Sequence, residues 1–171
     1  IQSGSIAKEH VFAYAPHQDK LRKNSEAIGF TPCASLKELA KNCDTLVMAC
    51  KPYQIEDVIA ELKAELPGKA LVSIAAGWGF ARYAKALPDG VRVQFVMPNT
   101  PAMVGEGVLL FEETNSLLAD ERKAIWALFS AVGLTVELPS NLMGIGGTVT
   151  GCGPAFVDLF IEAYGDAAVK Y

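Results

Sequence analysis

Short runs of apolar or β-branched residues alternate along this chain with longer segments in which apolar residues recur at helical spacing. The alternation begins in the first residues and continues to about Pro139. Residues 45–50 form an almost unbroken apolar run, which is typical of a strand covered on both faces in a parallel sheet. Strands that alternate with helices at this spacing need right-handed crossover connections. The pattern therefore predicts an α/β fold with a doubly wound, mostly parallel sheet.

Local signals predict the individual elements. A charged helix over residues 18–28 should end at Gly29, a natural C-terminal cap, and Ser35 should cap a short helix. Pro52 opens a third helix with one buried apolar stripe. That stripe contains Ile55, Val58, Ile59 and Leu62. Further helices are predicted over residues 80–87 and 117–132, the second with Leu118 on its buried side. Further strands are predicted over residues 11–15, 70–74, 91–96, 107–111 and 134–138.

The composition changes after Pro139, where glycines crowd residues 144–153. An apolar helix is predicted from Pro154 to the end of the chain, with Pro154 as its first residue. The free amides at such a helix start could face an anionic or polar substrate group, whereas the alternative is a flexible interdomain turn. We therefore predict one domain over residues 1–139 and the beginning of a helical domain, or an oligomer contact, over residues 140–171.

Charge and composition argue against several classes of partner. The chain has 171 residues, with 15 Lys plus Arg against 19 Asp plus Glu, and this charge of −4 does not favour nucleic acid. Residues 138–157 are uncharged, but they are too polar and too broken by glycine to suggest a membrane span, so no membrane partner is predicted. Four cysteines without a C-x-x-C pair predict buried free thiols and no metal site. Since no signal peptide opens the sequence, we expect a cytoplasmic location.

Three predicted strand ends carry unusual loops, at residues 49–52, 73–77 and 97–101. Ligands of such sheets lie beyond the carboxyl ends of the strands. Small side chains there let a flat ligand approach the backbone, and the prolines of the third loop hold its Asn-Thr pair rigid. The alternatives are a tight crossover at residues 75–77 and a solvated charge at Lys51. No Ser/His/Asp or Cys/His set and no paired carboxylates are found, so hydrolysis is disfavoured.

The sequence resembles the pyrroline-5-carboxylate reductase family in the order and approximate spacing of its motifs. These motifs are residues 97–101 (Met-Pro-Asn-Thr-Pro), 102–107, 49–52, 73–77 and 151–156. The resemblance implies a Rossmann-like NAD(P)-binding domain followed by an all-helical dimerisation domain. It also implies reduction of a small-molecule imine, 1-pyrroline-5-carboxylate, to L-proline by hydride transfer, in a homodimer or higher homo-oligomer formed through the helical domain.

The resemblance also assigns site residues. Those that should bind the dinucleotide are Ala49, Cys50, Lys51, Pro52, Ile74, Ala75, Ala76 and Met97. Asn99 and Thr100 are the candidate catalytic residues, as groups that orient the imine. Since a protonated imine accepts a hydride directly, no nucleophile is needed.

Cofactor preference depends on the end of the first predicted strand, at residues 15–18. NAD-preferring sites tend to place an acid there, and this segment has none. His17 and Lys20 could attract a 2′-phosphate, so we predict NADPH, with NADH as the alternative. His17 could equally be an exposed residue at a helix start.

The match departs from the family in three respects. The family's first strand with its glycine-rich phosphate turn and most of its helical domain are not represented, so residues 1–171 alone are expected to be inactive. Phe95 stands where the family usually has Arg, and Gly144 where it commonly has Asp. Two other interpretations stay open. The first is a 3-hydroxy acid reductase, which would need a lysine on the helical domain, and Lys170 is the only lysine after Pro139. The second is a non-catalytic Rossmann-like assembly or regulatory domain.

Overall fold

A computed structural model describes residues 1–170. The strands are β1 (Phe12–Ala13), β2 (Thr31–Pro32), β3 (Thr45–Met48), β4 (Ala70–Ser73), β5 (Arg92–Met97), β6 (Gly107–Glu112) and β7 (Gly133–Leu138). The α-helices are α1 (Gln18–Ile28), α2 (Leu36–Lys41), α3 (Ile55–Leu62), α4 (Phe80–Ala86), α5 (Ala119–Ser130), α6 (Met143–Gly147) and α7 (Gly153–Lys170). Short 3₁₀ turns cover Lys8–His10, Pro52–Gln54, Thr100–Val104 and Ser140–Leu142, and a π-helical turn covers Thr148–Cys152.

The larger sheet has five strands in the order β3-β4-β5-β6-β7. Strands β3, β4 and β5 are parallel, as are β6 and β7, whereas β5 and β6 are antiparallel. The antiparallel pair follows from its connection, because residues 98–106 are too few for a crossover helix. Strands β1 and β2 form a separate parallel pair. The prediction of a mostly parallel α/β sheet is confirmed.

Apolar side chains pack on both faces of this sheet. One core cluster joins β3, β4 and β5 to helices α2, α3 and α4, and it includes the buried residues Ile55, Ile59 and Leu62 of the predicted stripe. A second cluster lies between the sheet and α5, around Phe111 and Ile125. The predicted caps are also confirmed: Gly29 follows α1 with a φ of 100°, and the Ser35 hydroxyl accepts a hydrogen bond from the Glu38 amide at 3.1 Å.

Two burial predictions are wrong. Strand β3 buries Leu46 and Met48, but Thr45 and Val47 are exposed, because side chains alternate along the strand and the described residues do not cover its second face. Leu118 is 59% exposed, because it lies at the N-cap of α5, before the helix begins.

The C-terminal region also differs from the prediction. Helical structure runs without a break from Ser140 to Lys170, so Pro154 lies inside a helix and does not begin one. The helix-start anion site predicted there is therefore wrong. Cys152 is exposed, in contrast to the predicted buried thiols, and Cys33 is the buried one.

Residues 154–170 of helix α7 are all exposed. Among residues 1–170, the stretch Ser140–Lys170 is the one helical segment that is long and apolar enough to cross a membrane, judged by length and composition alone. The absence of a membrane partner stays a prediction.

Candidate active site

The three loops predicted from the sequence lie at one edge of the sheet. In the parallel ladder Met48 pairs with Ser73, and Ser73 pairs with Phe95. The chain therefore leaves all three strands side by side, at residues 49–52, 74–77 and 97–101. The ladder continues for one bond past the strands, since the Ile74 amide donates to the Met48 carbonyl at 3.1 Å.

Trp78 fixes the first loop to the second. Its indole Nε1 donates a hydrogen bond to the Pro52 carbonyl at 3.1 Å, and its side chain is buried. The Arg82 guanidinium lies over the indole ring, 3.9 Å from its centroid, in a cation–π contact. Sequence reasoning missed Trp78, although a large aromatic residue within the small-residue run 75–79 was an available signal.

A buried hydroxyl pair lies beneath the second loop. The Tyr83 hydroxyl donates to Ser73 Oγ at 2.8 Å, and the same Ser73 oxygen accepts a hydrogen bond from the Ala75 amide at 3.2 Å. Burial raises the pKa of Tyr83 to about 12, because it disfavours the phenolate, while the hydrogen bond with Ser73 acts in the opposite direction. Tyr83 therefore remains a neutral donor at physiological pH and orients the turn that begins at Ala75.

Asn99 ties the third loop to two other elements. Its amide nitrogen Nδ2 donates to the Thr150 carbonyl at 2.9 Å, and its oxygen Oδ1 accepts from the Val108 amide at 2.8 Å. In a regular helix the Thr150 carbonyl would accept from the residue four positions later, but that residue is Pro154, which has no N–H. The Asn99 side chain supplies the missing donor.

Glycine brings the C-terminal helical region close to the third loop. A Cβ atom on Gly147 would overlap Sδ of Met97, so only glycine lets α6 approach the end of β5 in this way. Met97 is half-buried in this contact. The predicted nicotinamide neighbour Met97 thus lies directly under the helical region.

The remaining predicted site residues differ in exposure. Ala49, Lys51, Pro52, Ala76 and Thr100 are exposed, whereas Cys50 and Ile74 are half-buried and Ala75 is buried. Burial raises the pKa of the Cys50 thiol, which makes it an apolar rather than a nucleophilic neighbour.

His17 follows a strand that does not belong to the sheet from which the three loops extend. It is exposed at the N-cap of α1, after β1, and among the strands of residues 1–170 the β1–β2 pair shares no ladder with the larger sheet. The structure therefore does not join His17 to the other predicted cofactor residues through strand pairing.

The residues present fit a dinucleotide better than a metal. Small and imino side chains line the loop edge, and a Cβ on Gly77 would meet open space, so the backbone there is accessible to a flat ligand. Within residues 1–170, no group of three His, Cys, Asp or Glu side chains could hold a metal ion.

Comparison with known proteins gives consistent matches. The family model described as "NADP oxidoreductase coenzyme F420-dependent" matches residues 1–77. Pyrroline-5-carboxylate reductase from Treponema pallidum is 34% identical over 175 residues, covering 100% of this chain and 66% of that protein. The enzyme of the same name from Synechocystis is 35% identical over 172 residues, covering 99% of this chain and 63% of that protein.

A crystal structure of pyrroline carboxylate reductase from Plasmodium falciparum with NADP bound superposes with a TM-score of 0.86 at 32% identity. The superposition covers 99% of this chain and 62% of that protein. The chain thus spans slightly less than two thirds of the length of these relatives.

Proposed function

The chain belongs to the pyrroline-5-carboxylate reductase family, and from this we propose that the complete protein reduces 1-pyrroline-5-carboxylate to L-proline with a reduced nicotinamide dinucleotide. One observation of the molecule supports the proposal most strongly: three parallel strands end side by side, with the first two loops tied to each other and the third loop tied to the helical region. Such an edge can hold a donor and an acceptor in fixed relative positions.

In the proposed reaction, the bound dinucleotide supplies a hydride to the carbon of the protonated carbon–nitrogen double bond. We assign the dinucleotide contacts to residues 49–52, 74–76 and Met97. Trp78 and Tyr83 hold these loops from below. The rigid edge would align the two reactants and displace water from between them.

Asn99 and Thr100 are proposed to orient the imine in different ways. Both functional atoms of the Asn99 amide already have protein partners, so this residue would act by holding the backbone of its loop. Thr100 is exposed next to it and carries the hydroxyl that we assign to the substrate.

We propose NADPH as the preferred cofactor. The relative from Plasmodium falciparum has NADP bound. In this chain the exposed His17 and Lys20 flank the start of α1, with Asp19 between them. If His17 contacts the 2′-phosphate, His17→Asp in the complete protein should lower the preference for NADPH over NADH by about tenfold through charge repulsion. An unchanged ratio of the two kcat/KM values would remove His17 from the cofactor site.

We further propose a cytoplasmic homodimer or larger homo-oligomer assembled through the helical region. The exposed apolar side of α7 supports this assembly, since such a surface needs a covering partner. A reducing compartment fits the four free cysteines.

The experiment is a steady-state assay on the complete protein, followed by absorbance of the reduced dinucleotide. We expect oxidation of NADPH when 1-pyrroline-5-carboxylate is added. We expect no reduction of NADP with 3-hydroxyisobutyrate. The opposite pattern would reject the proposal in favour of a 3-hydroxy acid reductase, and inactivity with both substrates would favour a non-catalytic role.

A further inference from the structure

Helix α4 begins without a capping side chain of its own. Its N-cap residue is Gly79, in an extended conformation with φ −78° and ψ 177°. Helix N-termini expose backbone N–H groups that a Ser, Thr, Asp or Asn side chain usually satisfies from this position. Gly79 has no side chain that could do so.

Glu112 supplies an acceptor from a different strand. It is the last residue of β6, it is 4% exposed, and its Oε2 accepts a hydrogen bond from the Phe80 amide at 2.7 Å. A Cβ atom on Gly79 would lie 3.3 Å from the same carboxylate, so the carboxylate occupies the space beside Gly79. A negative group at this end of a helix is also favoured by the helix dipole.

The position of Glu112 is itself fixed by its neighbours. The buried Gln94 side chain donates from Nε2 to the Glu112 carbonyl at 2.9 Å. The next residue, Glu113, donates its amide to the Leu138 carbonyl at 2.8 Å. Glu112 therefore projects from a rigid part of the sheet, and it can hold Phe80 without moving.

Residues 74–79 connect β4 to α4, and they contain the predicted dinucleotide contacts Ile74, Ala75 and Ala76. The near end of this loop is fixed by the Ser73 and Tyr83 hydroxyl pair. The far end is fixed by the bond between Glu112 and Phe80. The exposed residues Ala76 and Gly77 lie between these two attachments.

We propose that Glu112 is a positioning residue for the dinucleotide site, which it serves by capping α4 and thereby fixing the loop of residues 74–79. This inference rests on the proposed function. Glu112 would contact neither reactant, so its loss should weaken dinucleotide binding and leave the chemical step largely intact.

The test compares variants of the complete protein, with KM for NADPH, KM for the imine and kcat as readouts. Glu112→Ala removes the cap that fixes the loop, so it should raise KM for NADPH about tenfold, with the other two constants within about twofold. Glu112→Gln retains an acceptor oxygen for the Phe80 amide and should stay near wild type. Glu113→Ala is the matched control, because it removes the adjacent, exposed carboxylate.

A rescue variant separates capping from general destabilisation. Gly79→Ser added to Glu112→Ala gives α4 a hydroxyl at its own N-cap, in a backbone conformation that suits serine, and it should restore KM for NADPH. Where Glu112→Ala alone does not fold, the double variant decides: a folded double variant with native affinity supports the proposal, and one with weak NADPH binding overturns it.

Direct binding of NADPH, measured by fluorescence without the imine, distinguishes a failure of the proposed function from a failure of the role proposed for Glu112. A wild-type protein that fails to bind NADPH contradicts the proposed function. A wild-type protein that binds NADPH, together with a folded Glu112→Ala variant of equal affinity, contradicts only the role of Glu112.

Discussion

Asn99 satisfies two backbone groups from different elements with one side chain. Pro154 leaves the Thr150 carbonyl without its helical donor, and the Val108 amide at the start of β6 donates to the Asn99 oxygen. An asparagine side chain offers one of each on adjacent atoms. The residue is therefore both part of the candidate site and a connection between the sheet and the helical region.

Asn99→Leu in the complete protein should leave both backbone partners unsatisfied. We expect the free energy of unfolding to fall by about 2–4 kcal/mol, since an unpaired buried polar group costs about 1–3 kcal/mol. Turnover should fall about tenfold to a hundredfold, because the loop would lose its fixed position. Denaturant titration and kcat measure the two effects, and unchanged turnover in a folded variant would remove Asn99 from the site.

Asn99→Asp provides a sharper version of this test. It keeps the acceptor for Val108 and loses the donor for Thr150, while Pro154→Ala creates a new amide donor in the helix. Pro154→Ala should therefore stabilise the Asn99→Asp protein more than it stabilises the wild type, by about 0.5–3 kcal/mol in a double-mutant cycle. A coupling energy of zero would mean that Asn99 does not replace the missing helical donor.

Tyr83 should ionise at a higher pH than an ordinary tyrosine side chain. Its pKa is raised to about 12, against an ordinary value near 10, because burial disfavours the phenolate. The stability that the neutral form contributes is complete below pH 10, and it should be lost as the pH rises from 10 through 12. Absorbance at about 295 nm should show this late ionisation, and Tyr83→Phe should abolish it. Ionisation of Tyr83 near pH 10 in the folded protein, taken from the difference between the wild type and Tyr83→Phe, would contradict the assignment.

The sequence predicted the loops of the candidate site, but not what holds them in place. Residues 49–52, 73–77 and 97–101 could be found because parallel strands must end at a common edge. The contacts of Trp78 with Pro52, of Asn99 with Thr150 and of Glu112 with Phe80 span 26, 51 and 32 positions of the chain. No periodicity or local motif encodes such pairs, because they arise only when distant elements pack.

At the scale of elements, the C-terminal helical region shows where local rules mislead. Proline is frequent at the first position of a helix, so Pro154 predicted a helix start. The observed helix instead passes through Pro154 by way of the π-helical turn Thr148–Cys152, and Asn99 pairs with the carbonyl that proline leaves free. A tertiary contact thus overrides a strong local preference. The caps at Gly29 and Ser35 followed their local rules, and their hydrogen-bond partners Ser25 and Glu38 lie within four positions of them.

The close approach of α6 to β5 gives a prediction for this element. Gly147→Ala places a methyl group where Met97 Sδ now lies, so the Met97 side chain or the helix must shift. We expect a loss of about 1–3 kcal/mol in the free energy of unfolding, as for other overpacked contacts. Since Met97 is a predicted nicotinamide neighbour, kcat should fall as well.

Gly144→Ala is the matched control for this substitution. Gly144 belongs to the same helix, but a Cβ there meets nothing within 4 Å. Alanine should therefore be neutral or stabilising by up to about 1 kcal/mol, through its better helix propensity. Equal effects of the two substitutions on the free energy of unfolding, measured in parallel, would show that the contact with Met97 does not limit the approach of α6.

At the scale of the whole molecule, the apolar side chains of helix α7 are not covered by any other part of residues 1–170. Phe156, Leu159, Phe160 and Tyr164 lie on one side of this helix, and all four are more than 60% exposed. The acidic residues Asp158 and Glu162 lie on the other side, and Asp166 lies at its border with the apolar side. A helix with two such different sides is better suited to a protein contact than to a lipid environment that surrounds it on all sides.

A polypeptide of residues 1–171 should therefore self-associate through the apolar side of α7. Phe160→Glu places a charge in the middle of that side and should shift the protein toward the monomer mass of 18.2 kDa in light scattering. Val169→Glu introduces the same charge on the opposite side, where the valine is 91% exposed, and it should leave the association unchanged. A wild-type chain that scatters as a clean monomer would contradict the contact. A chain that co-sediments with neutral lipid vesicles, and loses this binding equally in both variants, would indicate a membrane segment in its place.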